Sequence, residues 1–453
     1  MTAIYQHFLD GFQRIAGSQT DGQRRIGAEL KFPLVAADGS AASRETVDAL
    51  WAHLAQIGWT PVVDTLTDRV VGAEKPGPRN ASVASCETGY CKTEFSLAHV
   101  ADLFELRKAV EKLKAELEPF AEKHGVHFLG YGIHPVSRPG KSLLLKKERS
   151  SFWDKAVPSN RIIPPEDGDD VHMFTVNAGS HVHVSVGADE AIAAVNVLAG
   201  FAGAQIALGA HSNVWKGELD PDYASVAESL WDRWRPARER CGVPPKAFAD
   251  LEDYVRTIEG LRPIYVKREE GPVILRVYES FADYFAAKEA TGETLQGKPV
   301  GVTPREADIG VHNSCYWYTV RISRYFTVEN RVFDQQPPGE LLSPAAVTLG
   351  LVSAWQEGWE ELKGYAWDDL RVARISACKS GMAGRVDGLP LRDLAGRMLE
   401  IAALGLRRRG RGEEQFLAPL QKRQRENQCP ADEVAALFRD GRIGALLDAR
   451  ALH

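Results

Sequence analysis

Apolar positions recur with helical spacing over residues 44–58, 97–124 and 188–211, and again over 344–363, 391–408 and 431–438. Between these stretches lie shorter runs that alternate as strands do: 25–34, 83–95, 127–133, 173–186, 274–278 and 316–333. Strands mixed with helices, several of them polar on one face only, predict an α+β fold on an antiparallel sheet. Beyond about residue 344 the pattern is almost all helical, and no repeat or low-complexity tract interrupts it.

The alternating runs carry the candidate chemistry. In Ile26-Gly-Ala-Glu-Leu-Lys-Phe32, Glu29 and Lys31 share one face with Gly27, while Ile26, Ala28, Leu30 and Phe32 share the other. In Ser85-Cys-Glu-Thr-Gly-Tyr-Cys-Lys-Thr-Glu-Phe95, Glu87 and Glu94 are an odd number of positions apart. A turn or bulge at Gly89 would bring them to one side. Two neighbouring glutamates suit Mg²⁺, which favours hard oxygen ligands.

The segment Gly179-Ser-His-Val-His-Val-Ser-Val186 projects His181, His183 and Ser185 from one face and three valines from the other. A lone strand histidine is usually structural, but two at i, i+2 suit a metal or a phosphate. In isolation they suit zinc; the glutamates nearby move the expectation to Mg²⁺ or Mn²⁺. In the last run Glu329 and Arg331 share a face with Thr327 and Phe333, and Arg321 projects with Trp317 and Thr319. Arginine beside glutamate is commonly a structural ion pair, and it is also the side chain best shaped to grip carboxylates and phosphates. A sheet face with this much mixed charge needs partners, because desolvating it alone is costly.

Composition narrows the class. The chain has 453 residues, 44% apolar and 26% charged, as soluble globular proteins do. Its net charge of −6 argues against a broad nucleic-acid surface. No apolar run approaches the roughly 20 residues that span a bilayer, and Met1 to Arg14 lacks the pattern of a signal peptide. Cys86, Cys91, Cys241, Cys315, Cys378 and Cys429 are scattered without CxxC spacing. A cytoplasmic protein with neither membrane nor nucleic-acid partner is expected.

These motifs, in this order, resemble the glutamate–cysteine ligase family of the glutamine synthetase superfamily. Gly27-Ala-Glu29-Leu-Lys31-Phe32 takes the place of the family's Gly-x-Glu-x-Glu-Phe strand, and Glu87 and Glu94 match its next pair of glutamates. Phe128-Leu-Gly-Tyr-Gly-Ile-His-Pro135 is similar to its Gly-rich strand, and Gly179-Ser-His181-Val-His183 to its histidine strand. Ala210-His-Ser-Asn213 falls at a small-residue turn, and Arg321 with Glu329-Asn-Arg331-Val-Phe-Asp334 at the Arg-rich strand pair. Gly405 to Gly410 and Pro430 to Glu433 resemble its helical C-terminus.

The resemblance implies a glutamine synthetase-like catalytic domain: a curved antiparallel sheet, helices outside it and a helical C-terminal region. One unit over 1–453 is expected, with the sheet within 20–344 and the helical part over 345–453. It implies an ATP- and Mg²⁺- or Mn²⁺-dependent ligase that joins a small-molecule carboxylate to an amine through an acyl phosphate, glutamate and cysteine by default, with a homo-oligomer left open. Carried across, Glu29, His181 and Glu329 would hold the nucleotide-side metal, and Glu87 and Glu94 the substrate-side metal. Arg321 would neutralise the transferring phosphoryl group, Arg331 would stabilise the acyl phosphate or grip the substrate carboxylate, and His183 would lie near the phosphates. The run Lys146-Lys-Glu-Arg149 reads as solvated charge that could add phosphate contacts.

Two positions depart from the family pattern, both on the amino-acid side. Lys31 replaces a glutamate that contributes to the substrate-side metal, so its ammonium could sit where that metal would. Ala227 stands where an arginine is expected shortly before Trp231. A different acid and amine, a guanidino kinase on a related sheet, and a nucleotide-binding homologue without activity therefore stay open.

Overall fold

The computed structural model describes residues 2–18, 23–77, 80–145, 147, 152–157, 159–386 and 388–452. Its centre is a nine-stranded sheet. In chain order the strands are β1 (Ile26–Ala36), β2 (Thr60–Val63), β3 (Val70–Lys75), β4 (Ser82–Cys86), β5 (Lys92–Ser96), β6 (Val126–Phe128), β7 (Gly179–Ser185), β8 (Val320–Ile322) and β9 (Thr327–Asp334). They lie side by side as β8-β9-β7-β1-β5-β4-β3-β2, with β6 beside the end of β1, and every pairing is antiparallel.

Alternation places the core. Ile26, Ala28, Leu30 and Phe32 of β1, Val182 and Val184 of β7 and Val328 of β9 are all buried. Helices Leu103–His124, Ala191–Gly200, Ala202–Gly209 and Ser343–Ser353 pack against the central strands. Burial of that apolar surface is the main favourable term for the sheet. From Ser343 onward the chain is helical apart from short helical turns, loops and a hairpin, Arg385–Val386 with Leu389–Pro390. A separate four-stranded sheet comprises Tyr265–Arg268, Gly271–Ile274, Ala290–Glu293 and Pro299–Val302; of the strand expected at 274–278 only Ile274 belongs to it, and residues 275–278 lie beyond its end.

Several elements differ from the periodicity, each for a local reason. The helix expected from residue 97 starts at Leu103. Leu97 and Val100 donate to Ala28 and Ile26 of β1, and the Asp102 carboxylate caps the helix by accepting from Glu105 N. The run at 83–95 is a hairpin, β4 and β5, and residues 173–186 split into a helical turn, Asp170–Thr175, and β7. The helix expected over 188–211 is two helices bent by 52° at Phe201. The Gln205 amide donates to the Leu198 carbonyl at 2.8 Å across this break, while its Oε1 accepts from Asn330 on β9 at 2.7 Å. This pair is the one stretch of the described residues apolar enough to span a bilayer; it is bent and buried at every position but Ala193, as a core helix is. The helix Ala3–Ser18 is not among the expected elements, although Ile4, Phe8 and Phe12 recur at helical spacing and are buried; the exposed hairpin edge β2 carries too little alternation to be read in advance.

The helix expected over 344–363 likewise breaks, at Ala354, where helix Leu391–Arg409 crosses helix Ser343–Ser353 almost backbone to backbone. A Cβ at Gly405 would lie 1.9 Å from the Gly350 carbonyl oxygen. Gly405→Ala would gain about 1 kcal/mol in helix propensity. The forced separation costs about 1–3 kcal/mol or more and should win. A lower midpoint in chemical denaturation is the expected outcome, and an unchanged midpoint would contradict the crossing.

Candidate active site

The opposite face of the central strands floors a cavity of about 1160 Å³. Register decides which side chains meet there. Glu29 on β1 lies opposite His181 on β7, and Gly27 opposite His183. Lys31 lies opposite Glu94 on β5. His183 is opposite Glu329 on β9, which is opposite Arg321 on β8. Five adjacent strands thus bring Glu29, Lys31, Glu94, His181, His183, Glu329 and Arg321 onto one surface. A bulge in β9 between Asn330 and Phe333 alters the local twist beside Arg331, which also lines the cavity.

Glu87 joins from the β4–β5 turn. Gly89 sits in that turn so close to the neighbouring chain that a Cβ would lie 2.0 Å from the Thr175 carbonyl oxygen. Glu87 Oε2 pairs with Lys92 Nζ at 2.9 Å, and Lys92 also donates to Phe174 O and Asn177 Oδ1, both at 3.0 Å. Lys92 was not singled out in the sequence, although its parity with Glu94 on β5 puts it on the same face. Lys147 donates to Cys86 O at 2.6 Å and lines the cavity; Lys146, Glu148 and Arg149 lie outside the described residues.

On the β8–β9 side, Glu329 is held between two guanidinium groups. Arg321 Nε donates to Glu329 Oε2 at 2.8 Å and its Nη1 to Tyr316 O at 2.7 Å, while Arg331 Nη1 donates to Glu329 Oε1. Burial works against the Glu329 charge, but the two arginines outweigh it and hold the carboxyl well below the usual range. Glu29, His183 and Glu329 each present a ligand atom, and these atoms lie within 4.8 Å of one another. His183 Nε2 is 3.2 Å from Glu29 Oε1, and its Nδ1 is 2.9 Å from Thr327 Oγ1. Two carboxylates and one imidazole, with a hydroxyl orienting the ring, are a donor set that fits Mg²⁺ or Mn²⁺.

The family resemblance implies His181 at that metal with Glu29 and Glu329. In the structure His183 completes the compact trio, and His181 Nδ1 faces cations instead. It lies 2.9 Å from Lys31 Nζ and 3.2 Å from Arg331 Nη1. An ammonium and a guanidinium can only donate, so Nδ1 accepts and the ring proton sits on Nε2. The 3.0 Å approach of Glu29 Oε2 to the same Nδ1 is then a contact of two acceptors that share the Lys31 ammonium. Burial pushes the His181 pKa down to about 3, with Arg331 and Lys31 adding to the effect. For His183, burial is outweighed by the Glu29 hydrogen bond and the Glu329 charge, which raise its pKa.

A wall of aromatic rings closes the cavity beside Glu87 and Lys92. Phe174 stacks on Trp231 at 4.2 Å, Trp231 on Trp317 at 5.9 Å, and Trp234 and Trp153 approach Trp317 at 5.2 and 5.7 Å. Ala227 lines the same cavity and presents only a methyl group.

The model of glutamate–cysteine ligase family 2 matches residues 25–449. The glutamate–cysteine ligase of Medicago truncatula chloroplasts is 25% identical over 433 residues, covering 93% of this chain and 80% of that protein. A family 2 homologue from Rubrobacter xylanophilus is 33% identical over 162 residues, a match that spans only 36% of this chain and 40% of the relative. Among solved structures, glutamate–cysteine ligase from Francisella tularensis in complex with AMP superposes with a TM-score of 0.54 at 11% identity, over 94% of this chain and 87% of that one. The fold is shared at that distance.

Proposed function

The chain belongs to glutamate–cysteine ligase family 2, and from that premise we propose that it is an ATP-dependent carboxylate–amine ligase that forms an amide through an acyl phosphate. The observation that carries this reading is the trio Glu29, His183 and Glu329 beside Arg321 and Arg331, all on the polar face that floors the cavity.

The chemistry proceeds in two displacements. A carboxylate oxygen of the acid attacks the γ-phosphorus of ATP, the bond to the β–γ bridging oxygen breaks, and ADP leaves. The amine nitrogen then attacks the acyl carbon, phosphate departs with the oxygen it gained, and the nitrogen loses a proton. Both steps depend on positioning and on neutralising charge that moves among phosphate oxygens. Mg²⁺ or Mn²⁺ held by Glu29, His183 and Glu329 would supply part of that neutralisation at the nucleotide. Arg321 and Arg331 supply the rest as fixed cations. Glu329 orients both, so they need no rearrangement as charge develops. The enclosing cavity walls keep water from the acyl phosphate.

Glutamate and cysteine are the pair suggested by the family and by the named relatives. A second reading, the same chemistry on another pair, rests on Ala227 and the aromatic wall. Without an arginine at position 227 one grip on a substrate carboxylate is missing, and Phe174, Trp231 and Trp317 offer flat apolar surface instead.

The test is ADP release with ATP and Mg²⁺ against amino acids and aromatic amines, singly and in pairs. Equal ADP and amide, only with acid and amine together, is the expected result. Glutamate with cysteine would give the default pair, and any other productive pair would give the second reading. ADP formed on a single guanidino substrate, or ATP bound without ADP from any pair, would overturn the ligase.

A further inference from the structure

The substrate side of the site carries Glu87 and Glu94, with Glu29 of the trio beside them, the kind of carboxylate cluster that takes a divalent ion. In this chain that position is filled by protein. Lys31 Nζ lies 3.0 Å from Glu29 Oε2, 3.1 Å from Glu94 Oε2, 3.9 Å from Glu87 Oε1 and 2.9 Å from His181 Nδ1. An ammonium has three N–H bonds, and Glu29, Glu94 and His181 provide three acceptors within 3.1 Å. The side chain is 2% exposed.

The backbone fixes it there. Lys31 sits in mid-strand opposite Glu94, its carbonyl accepts from Gln335 Nε2 at 2.9 Å, and its neighbours Leu30 and Phe32 are locked in the core on the other face. With the strand fixed, the contacts to Glu29, Glu94 and His181 hold the ammonium among the carboxylates. From the geometry we propose that the Lys31 ammonium permanently replaces the substrate-side metal, so that this enzyme works with one divalent ion fewer than a site with glutamate at that position. The inference rests on the ligase reading for its catalytic meaning, while its geometric basis is independent.

Two further observations agree. Mg²⁺ binds oxygen at about 2.0–2.1 Å, so an ion among these carboxylates would occupy the space of Nζ and face a cation at contact distance. The substrate-side carboxylates also carry counter-charges from the protein: Lys31 pairs with Glu29 and Glu94, and Lys92 with Glu87. A carboxylate cluster without internal cations would need an ion to be stable, and this one has its counter-charges built in. Because its N–H bonds are taken up by protein, Lys31 contributes charge and rigidity but no directed bond to substrate. The substrate side should then be insensitive to metal concentration, leaving only the trio of Glu29, His183 and Glu329 to respond.

The experiment counts bound Mn²⁺ by electron paramagnetic resonance at neutral pH, with a saturating non-hydrolysable ATP analogue, for native protein, Lys31→Glu and Lys31→Met. Both variants are purified with Mn²⁺ present. Each is expected to bind one more Mn²⁺ per chain than the native protein, with the tighter extra site in Lys31→Glu. Should Lys31→Glu fail to fold, Lys31→Met decides. Its melting temperature should fall in chelator and recover on adding Mg²⁺ by more than the native protein's does. Equal Mn²⁺ counts in native and variant proteins, or equal melting responses, would overturn the replacement. These readouts need no turnover, so failure of the ligase reading would appear in ADP release alone.

Discussion

Glu329→Gln is expected to lower turnover by about three orders of magnitude or more, the scale seen when a charge that organises phosphoryl transfer is removed. Glu329 has two tasks that one amide cannot perform. It is the carboxylate shared by the metal-fitting trio and by both arginines. The amide retains one acceptor oxygen but turns two N–H bonds towards a guanidinium that can only donate. The ion site loses a formal charge, and Arg321 and Arg331 lose the group that holds them apart and aimed. Glutamine is a better probe than alanine here. With its side chain 3% exposed, deleting the carboxylate altogether would leave two buried guanidiniums uncompensated, a loss of about 3–5 kcal/mol that could unfold the protein and mimic inactivity. ADP release and thermal melting should be read together. Turnover within tenfold of native, in a folded variant, would remove Glu329 from the reaction.

Arg321→Met should cost about a thousandfold in kcat while changing the affinity for ATP much less. Arg321 is anchored by Glu329 through Nε and by the Tyr316 carbonyl through Nη1, a two-point hold that keeps its charge directed at the cavity it lines. A preorganised cation acts where charge builds up in the transition state, so its loss falls on kcat and kcat/KM alike. Lysine should restore little, because a single ammonium cannot reproduce a planar fork that bridges Glu329 and a carbonyl. A variant with normal kcat and a raised KM for ATP would mean that Arg321 only binds nucleotide.

Much of this surface was legible in the sequence because a strand's two-residue period is so simple. Alternation alone put Glu29 with Lys31, His181 with His183, and Glu329 with Arg331, each opposite an apolar row that forms the core. Gly89 was legible as the turn that brings Glu87 round to Glu94, since a side chain has no room against Thr175 O. Register was not legible. That Gly27, which has no side chain, faces His183 while Glu29 faces His181 is a property of the β1–β7 pairing. The pairing leaves His183 in the trio and turns His181 towards Lys31. Lys92 escaped notice because its partner, Glu87, is reached only through the hairpin. The helix breaks at Phe201 and Ala354 were equally hidden. Both helices have the composition of continuous ones, and the interruptions depend on what packs there: Gln205 spanning the first break, and helix Leu391–Arg409 at Gly405 against the second. The substitution at position 31 was visible as an odd residue, but its meaning lay in four distances around one nitrogen.

The measurement that bears most directly on the central claim follows the oxygen of the acid. With the acid that supports ADP release labelled with ¹⁸O in its carboxylate, each turnover should place one ¹⁸O atom in the inorganic phosphate, because that oxygen bonds to phosphorus in the acyl phosphate and leaves with it. Unlabelled phosphate, or label recovered in AMP, would contradict the account.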